Sequence, residues 1–287
     1  MTLDIIIPIF NKEKQIINIY NKINEELKSI KHNFIFIDNF STDKSLQLLK
    51  ELYKEDDTNI KIISLSKYHK KNECIYAGIE NSKHDLVCIY DLDLNANTSH
   101  ILKMYELITN HDEYDEVCMY ANTNIKGSLR RNLKLVKKIF NLDIDLNKTY
   151  FRMFKRNVLN AIIDNNKYYG FSNYTFDIIG FNVYYSKFEC KNSLNDVCLK
   201  RYFCYIKSPF KFINLINYFL LLFTFIITVL SILKVFTISN NILLILLLLL
   251  VILLLLIMTF SYNYLLKFLH KTNYIVREKI GFDENVL

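Results

Sequence analysis

Two long apolar runs in the last third of the chain most constrain how it can fold. Residues 213–233 contain no charged side chain, and residues 242–260 form a second uncharged run dominated by leucine. Because a helix rises about 1.5 Å per residue, each run is long enough to cross about 30 Å of hydrocarbon. Two buried helices of a large soluble core are the alternative, but an uninterrupted leucine run has no polar face to offer water. The sequence therefore predicts two transmembrane helices.

The residues around these runs predict their orientation. The connection 234–241 is short, so the two helices should form an antiparallel hairpin with both flanks on one side of the membrane. The connection has one basic residue, Lys234, whereas both flanks are rich in Lys and Arg. By the positive-inside bias, we expect residues 1–207 and the tail 267–287 in the cytoplasm, joined by a membrane hairpin over 208–266.

The first two hundred residues alternate between two hydrophobic patterns. Short apolar runs typical of buried strands alternate with segments whose apolar residues recur at helical spacing. Strands that are apolar on both faces and alternate with helices predict an α/β domain with a mainly parallel sheet covered by helices. The predicted strands are 3–10, 33–38, 60–65, 85–93 and 116–121; the predicted helices are 11–30, a segment from Ser41 or Thr42, 70–82 ending near Gly78 or Asn81, and about 98–109.

Three aspartates, Asp38, Asp91 and Asp93, fall at the ends of predicted strands. Ligands bind beyond the carboxyl ends of parallel strands, so we expect these acids at one shared edge of the sheet. Two carboxylates at i and i+2 on an extended chain leave the same face about 7 Å apart. Together with phosphate oxygens, such a pair can hold Mg²⁺ or Mn²⁺. Taken alone the pattern is weak, because acids after strands also cap helices or face solvent.

Composition excludes several classes of protein. The chain is 51% hydrophobic, which excludes disorder, and its 5 Gly and 2 Pro exclude a collagen-like chain. The six cysteines form no CxxC pair and have no His at ligand spacing, so a zinc site is not expected. The net charge of +7 is compatible with nucleic-acid binding. The two apolar runs and the acidic residues at the strand ends are not typical of nucleic-acid-binding proteins, so no nucleic-acid partner is expected.

A dense cationic segment lies within residues 126–138. Its apolar residues recur at helical spacing, so it could lie on an anionic membrane surface or present a solvated helix face. The two predicted spans favour the membrane interpretation. Arg130, Arg131 and Lys134 are therefore candidates for contact with a lipid phosphate or the membrane surface.

In combination, four segments resemble family 2 glycosyltransferases with the GT-A fold. They are IIIPIFNKEKQI, FIDNFSTDKS, SLSKYHKKNECIYAGIENS and LVCIYDLDLN, and their order and spacing match. Within that family the chain is similar to the polyprenyl-phosphate glycosyltransferases, the bactoprenol glucosyltransferase and dolichyl-phosphate mannose synthase group. NKTYFRMFKRNVL and CYIKSPFKF extend the resemblance to nearly the whole chain, tight through residue 95 and looser between 120 and 207.

The resemblance implies a site for a nucleotide sugar. Pro8 and Phe10 would line the nucleotide pocket, and Asp38 would contact the uracil or the ribose. Lys71 would lie near the sugar nucleotide, and Asp91 would sit beside the ribose and the diphosphate.

The resemblance also implies how catalysis would occur. Asp93, with Asp91, would ligate Mg²⁺ or Mn²⁺, and Arg152 would lie near the phosphate of the donor or of the lipid. Asp93 with its metal, and Arg152, would neutralise the charge that grows on the leaving UDP.

Several residues depart from the family's usual pattern, among them the stretch 94–98, which reads LNANT where the family usually has Leu-Gln-Asp-Pro-Pro. The usual Asp-Asp-Gly-Ser reads Asp38-Asn39-Phe40-Ser41 here, and Phe40 lacks a glycine's easy access to positive φ. An acid commonly precedes the Phe-Arg pair, where this chain has Tyr150. A lipid phosphate has a second pKa of about 6, is largely anionic near neutrality, and needs no general base. The change at Tyr150 therefore argues against a sugar hydroxyl as acceptor more than against transfer itself.

The expected activity is inverting, metal-dependent transfer of a hexose from a nucleotide sugar, UDP-glucose-like, to polyprenyl phosphate. A membrane glycosyltransferase with another acceptor, a glycan or a lipid, is one alternative, and a catalytically inactive binding homologue is the other. The expected partners are the nucleotide sugar, polyprenyl phosphate and membrane lipids. A homo-oligomer is also expected, because a lone hairpin packs poorly in a bilayer.

Overall fold

The computed structural model describes most of the first 190 residues and a short segment near the C-terminus. The described residues are 1–122, 148–169, 171, 173–189 and 274–282, with 249–250, 253–254, 256–258 and 260 in helix. The chain divides into two compact units. The first consists of Met1–Arg130, Asp143–Leu194 and His270–Leu287, and the second of Arg131–Leu142 and Asn195–Leu269.

Several predicted features fall outside the described residues. They include the first predicted span, 213–233, and the basic candidates Arg130, Arg131 and Lys134. Of the second predicted span, 242–260, only part is described. Among the described residues, no helix combines the length and the apolar character needed to cross a bilayer.

In the described part of the chain, an eight-stranded sheet forms the centre of the first unit. The strands are β1 (Leu3–Ile9), β2 (His32–Asp38), β3 (Ile60–Leu65), β4 (Leu86–Ile89), β5 (Glu116–Asn122), β6 (Lys148–Lys155), β7 (Val183–Glu189) and β8 (Val276–Ile280), in the spatial order β7-β5-β6-β4-β1-β2-β3-β8. β1 pairs in parallel with β2 and β4, and β2 with β3. β6 runs antiparallel to both β4 and β5, and β8 runs antiparallel to β3. The predicted α/β fold with a mainly parallel sheet is confirmed.

Six helices of the described chain connect or cover these strands. They are α1 (Ile16–Glu26), α2 (Ser45–Glu55), α3 (Lys71–Asn81), α4 (Ser99–Asn110), α5 (Arg156–Tyr169) and α6 (Asn173–Ile179). One core cluster packs α3, α5 and α6 onto the sheet face that carries Ile6, Ile35 and Ile37. Ile5 and Ile7, which point to the other face of β1, are also fully buried. Burial on both faces explains the continuous apolar run, since each isoleucine contributes about 1.5–3 kcal/mol when buried.

Gly78 lets α3 pack closely on β1. A Cβ atom at Gly78 would lie 2.4 Å from Cγ2 of Ile6, so any other residue at this position would force the Ile6 side chain or the helix to shift. Of the two ends expected for this helix, Asn81 is the observed one, and Gly78 lies inside it. The glycine therefore sets the distance between α3 and the sheet. That distance also positions the residues at the start of α3 relative to the edge of the sheet.

Helix α1, Ile16–Glu26, is shorter than the predicted helix 11–30. Two further boundaries also differ from the sequence prediction. α2 begins at Ser45 rather than at Ser41 or Thr42, because the carboxylate of Asp43 accepts the Ser45 N–H at 2.9 Å and holds the preceding residues in a loop. β4 ends at Ile89 rather than continuing through residue 93. Both of these differences lie at the carboxyl edge of the sheet. There, side chains form hydrogen bonds to the backbone that replace the regular backbone hydrogen bonds of a helix or a strand.

The last described segment returns to the sheet as β8. Its register places Lys279 opposite Ile63 on β3. Glu278 forms an ion pair with Lys50 on α2 at 2.8 Å, and the hydroxyl of Tyr274 donates a hydrogen bond to Glu80 on α3. The segment that the sequence predicted only as a tail therefore completes one edge of the sheet.

Candidate active site

The acidic pair lies in a tight turn just beyond β4. A 3-10 turn covers Leu92–Leu94, and the carboxylate of Asp91 accepts the N–H of Asp93 at 3.1 Å. Asn95 ends the turn with φ of +47°. The expectation that both acids leave an extended strand is therefore wrong: the side chain of Asp91 is 1% exposed, whereas that of Asp93 is 57% exposed.

Lys71, the first residue of α3, joins the two carboxylates. Its ammonium donates to Oδ1 of Asp91 and, at 2.7 Å, to Oδ2 of Asp93. A second ammonium, that of Lys12, lies 3.0 Å from Oδ1 of Asp93. Partial burial raises the pKa of Asp93, but the two ammonium groups outweigh it and lower that pKa to about 2. Pairing with the two lysines thus keeps the carboxylate of Asp93 charged at neutral pH.

The acidic pair has the oxygen atoms that a hard divalent cation requires. Oδ2 of Asp91 is buried and has no hydrogen-bond partner among the described residues. An unpaired buried carboxylate oxygen is costly unless a donor or a cation satisfies it. Mg²⁺ is usually held by one or two carboxylates together with substrate phosphates. Asp91 and Asp93 offer such a cation carboxylate oxygens, and their assignment as its ligands stays a prediction.

Asp38 ends β2, and its carboxylate is held by two serines. Oδ2 accepts from the hydroxyl of Ser64 at 3.2 Å, and Oδ1 accepts the N–H of Ser41 at 3.2 Å. The sheet order places β2 and β4 on either side of β1, so Asp38 and Asp91 lie at the same edge. The predicted arrangement of acids at one sheet edge is therefore present, although Asp38 is only 1% exposed.

Exposed aromatic residues border the same edge. Phe10 directly follows β1 and is 42% exposed. Its ring packs edge-on against Tyr68, which follows β3, with 4.8 Å between the ring centroids. Pro8 lies on β1 beside Ile37 of β2. Of the two residues predicted to line a nucleotide pocket, Phe10 offers the exposed ring.

Asn39 fastens the loop that leads to Lys71. Its amide oxygen accepts the N–H of His69 at 2.8 Å, and its amide nitrogen donates to the His69 carbonyl at 2.8 Å. An aspartate could accept the first bond but could not donate the second. The departure from Asp-Asp-Gly-Ser at Asn39 therefore has a structural reason. Phe40 adopts φ of +60°, the conformation that a glycine would adopt more easily.

Arg152 lies in the interior, in a network that the sequence did not predict. Its guanidinium pairs with Glu116 across β5 and β6, with 2.5 Å between Nη1 and Oε1. It also donates to Asn173 at 2.7 Å and to the Thr149 carbonyl, and it stacks over the ring of Phe176. Arg152 is 2% exposed, so contact with a ligand would require this network to open. Its catalytic role stays a prediction.

Comparison with known proteins places this fold in a family. Residues 4–186 match the family model described as glycosyl transferase family 2. CsbB of Bacillus subtilis (strain 168), which carries the name of a glycosyltransferase, is 29% identical over 256 residues, covering 82% of this chain and 76% of CsbB. The undecaprenyl-phosphate 4-deoxy-4-formamido-L-arabinose transferase of Pseudomonas fluorescens (strain SBW25) is 26% identical over 131 residues, covering 45% of this chain and 38% of that protein.

A solved structure agrees with the fold. The glucosyl-3-phosphoglycerate synthase of Mycobacterium tuberculosis, in complex with Mn²⁺, UDP and phosphoglyceric acid, superposes with a TM-score of 0.50 at 14% identity, covering 68% of this chain and 73% of that one. This likeness concerns the fold alone. The family model covers more than half of the chain and includes the sheet edge with Asp38, Asp91 and Asp93. The resemblance read from the sequence is confirmed: this chain belongs to glycosyl transferase family 2.

Proposed function

We propose that this protein transfers a hexose from a nucleotide sugar, UDP-glucose-like, to polyprenyl phosphate, with inversion at the anomeric carbon and with Mg²⁺ or Mn²⁺. Membership of the family supports glycosyl transfer. The acceptor named for the Pseudomonas relative, undecaprenyl phosphate, supports the choice of acceptor. The observation that carries the proposal is the acidic pair at the carboxyl edge of the sheet, where the buried Oδ2 of Asp91 has no hydrogen-bond partner within the described part of the chain.

The residues at this edge suit a nucleoside diphosphate. The exposed ring of Phe10 offers a flat apolar surface for a base. Asp38 holds its carboxylate ready to accept from an imide N–H or a ribose hydroxyl, since Ser41 and Ser64 fix its position. Lys12 and Lys71 place positive charge where the diphosphate would lie beside Asp93. The nucleotide would therefore run from Phe10 and Asp38 toward the acidic pair.

The same cluster can stabilise the departure of UDP. A divalent cation held by Asp91 and Asp93 would neutralise the charge that grows on the diphosphate as the bond to the sugar breaks. Lys71 and Lys12 would add positive charge to the same oxygens. The protein's task here is to hold these groups in place before the reaction begins.

The residue at position 150 bears on the acceptor. Tyr150 is buried, and its hydroxyl accepts the N–H of Asn173 at 2.9 Å. A group held in this way does not suit the role of a general base. A phosphate oxygen of the lipid is already an anion, so it can form the bond to the anomeric carbon while the bond to UDP breaks, with no proton to remove. The tyrosine is thus compatible with a phosphate acceptor.

The membrane arrangement is part of the proposal. β8, which follows the predicted hairpin in the chain, pairs with β3, which precedes it. If the intervening segment enters the bilayer, it must return to the side it left, which supports a hairpin with spans at 213–233 and 242–260. We therefore place residues 1–207 and 267–287 in the cytoplasm, with the hairpin over 208–266. Arg130, Arg131 and Lys134 would contact lipid phosphates at the surface.

A lipid-labelling experiment tests this proposal. Membranes that contain the full chain are incubated with polyprenyl phosphate and labelled UDP-glucose, UDP-galactose, UDP-N-acetylglucosamine or GDP-mannose, with and without a chelator. We expect one donor to label the organic-extractable lipid, and the chelator to remove that label. Asp93→Ala should abolish labelling, whereas the matched control Asp57→Ala, at an exposed aspartate outside the site, should not. Absence of label in the lipid with all four donors would refute the proposed activity.

A further inference from the structure

Lys71 takes the place between the two carboxylates that a cation bound by them would need. Its ammonium bonds to one oxygen of Asp91 and one oxygen of Asp93 at the same time. Lys12 bonds to the other oxygen of Asp93. Three of the four carboxylate oxygens therefore bond to a lysine ammonium group. One of the three, Oδ1 of Asp91, also accepts the N–H of Asp93. A divalent cation reaches these oxygens only by displacing an ammonium group.

The charges in the cluster oppose a cation that arrives alone. Two carboxylates and two ammonium groups cancel, so a divalent cation adds to a site that is already neutral, and it meets two like charges at close range. A nucleoside diphosphate changes this balance. Its phosphate oxygens supply further ligands to the cation and new partners for the displaced ammonium groups.

The backbone around Lys71 is held firmly, so that the side chain is the part free to move. His69 is fastened to Asn39 by two hydrogen bonds, and Asn72 accepts from the hydroxyl of Tyr150. The lysine itself has a flexible four-carbon stem and is 30% exposed. The ammonium can therefore exchange a carboxylate for a phosphate oxygen while α3 stays in place.

We propose that Lys71 competes with the divalent cation for Asp91 and Asp93, so that the cation binds strongly only together with the nucleoside diphosphate. This inference rests on the proposed function, since it takes the acidic pair as the cation site. It assigns Lys71 a role in ordering the two ligands, in addition to any contact with the sugar nucleotide.

Cation binding to the full chain in detergent tests this role directly. Mn²⁺ is titrated into the wild type, Lys71→Met, Lys12→Met and the control Lys50→Met, with and without UDP, and free Mn²⁺ is followed by electron paramagnetic resonance. Lys50→Met changes the net charge by the same amount as Lys71→Met. Lys50 pairs with Glu278 and lies outside the acidic cluster, so its variant controls for charge alone. Without UDP, Lys71→Met should bind Mn²⁺ about tenfold or more tightly than the wild type, Lys12→Met should gain less, and Lys50→Met should match the wild type. UDP should tighten Mn²⁺ binding to the wild type more than to Lys71→Met.

The results separate this inference from the proposed function. If Mn²⁺ binds in the presence of UDP but Lys71→Met matches the wild type without UDP, the competition by Lys71 is refuted while the cation site stands. If no variant binds Mn²⁺ even with UDP, the cation site itself is refuted. Thermal unfolding verifies that each variant is folded, and Lys71→Gln, which also removes the ammonium group, decides the question if Lys71→Met does not fold.

Discussion

The hydroxyl of Tyr150 donates a hydrogen bond to the amide oxygen of Asn72, the residue that follows Lys71 on α3. The same hydroxyl accepts the N–H of Asn173 at the start of α6. One side chain on β6 therefore connects the helix that carries Lys71 with the helix that contacts Arg152. Where the family commonly has an acid, this chain has a hydroxyl that both donates and accepts.

Removing this hydroxyl should affect stability more than catalysis. Tyr150→Phe leaves the buried N–H of Asn173 without its acceptor, so we expect the free energy of unfolding to fall by about 1–2 kcal/mol. Lipid labelling should stay within a few-fold of the wild type. The control is Tyr114→Phe, since the hydroxyl of Tyr114 makes no hydrogen bond in the described structure. Loss of labelling in Tyr150→Phe at unchanged thermal stability would instead identify the hydroxyl as catalytic.

The buried pair of Arg152 and Glu116 should be strongly coupled. Arg152→Met leaves the buried carboxyl group of Glu116 without its partner, so we expect a loss of about 3–5 kcal/mol in the free energy of unfolding. Glu116→Gln should also destabilise, and the double variant should lose less than the sum of the two single losses. Thermal and denaturant unfolding of all three variants measure this coupling. Losses that simply add would contradict a direct ion pair, and loss of labelling at unchanged stability would show a direct role of Arg152 with the ligand.

Replacing Phe40 with glycine should stabilise the protein. Phe40 has φ of +60° and is 42% exposed, so it carries backbone strain with little burial in return. Left-handed backbone costs a non-glycine residue about 1–2 kcal/mol, from which the greater unfolded-state entropy of glycine subtracts about 0.5–1 kcal/mol. We therefore expect Phe40→Gly to raise the unfolding temperature slightly and Phe40→Ala, which keeps the strain, not to raise it. An equal rise in both variants would mean that removal of the exposed ring, rather than relief of strain, is responsible.

The carboxylate of Asp4 should make stability depend on pH in the acid range. Asp4 is fully buried at the start of β1. Its carboxylate accepts hydrogen bonds from the Ser82 hydroxyl at 2.6 Å, from the backbone N–H of His84 and from the imidazole ring of His84. Burial raises the pKa of Asp4, but these hydrogen bonds outweigh it, and the pKa lies below the ordinary value of 3.8. A carboxyl group whose pKa is lower in the folded state stabilises the fold at any pH above its pKa in the unfolded chain. That stabilisation is lost as the pH falls through the pKa of the folded state.

Asp4→Asn measures this contribution. We expect the variant to be less stable than the wild type by about 1–3 kcal/mol at pH 7, with the difference narrowing below about pH 4 as the wild-type carboxylate is protonated. Thermal unfolding from pH 7 down to pH 3 tests this, with Asp57→Asn as the exposed control. A difference that stays constant across this range would show that the charge of Asp4 contributes nothing.

Local patterns in the sequence predicted much of the architecture. β1, β2 and β3 were recognisable because a strand buried on both faces is apolar throughout, and this property can be read within six or seven residues. The acids after the strands were recognisable because the carboxyl ends of parallel strands meet at one edge. The family was recognisable because several such segments occur in a particular order and spacing.

Other features depended on contacts between residues far apart in the chain. Lys71 meets Asp91 and Asp93 only because α3 packs on β1, and β1 pairs with β4, the strand that Asp91 and Asp93 follow. Arg152 meets Glu116 only because β5 and β6 pair. β8 was not predicted because its three consecutive charged residues are typical of a solvated tail, and only the pairing with β3 makes the segment a strand.

The sequence by itself determined the class of fold, the family and the residue types at the sheet edge, since burial and repeat spacing leave local signals. The tertiary structure decided which charges are paired, because the partner of a polar side chain is set by the packing of distant segments and leaves no signal next to it in the chain.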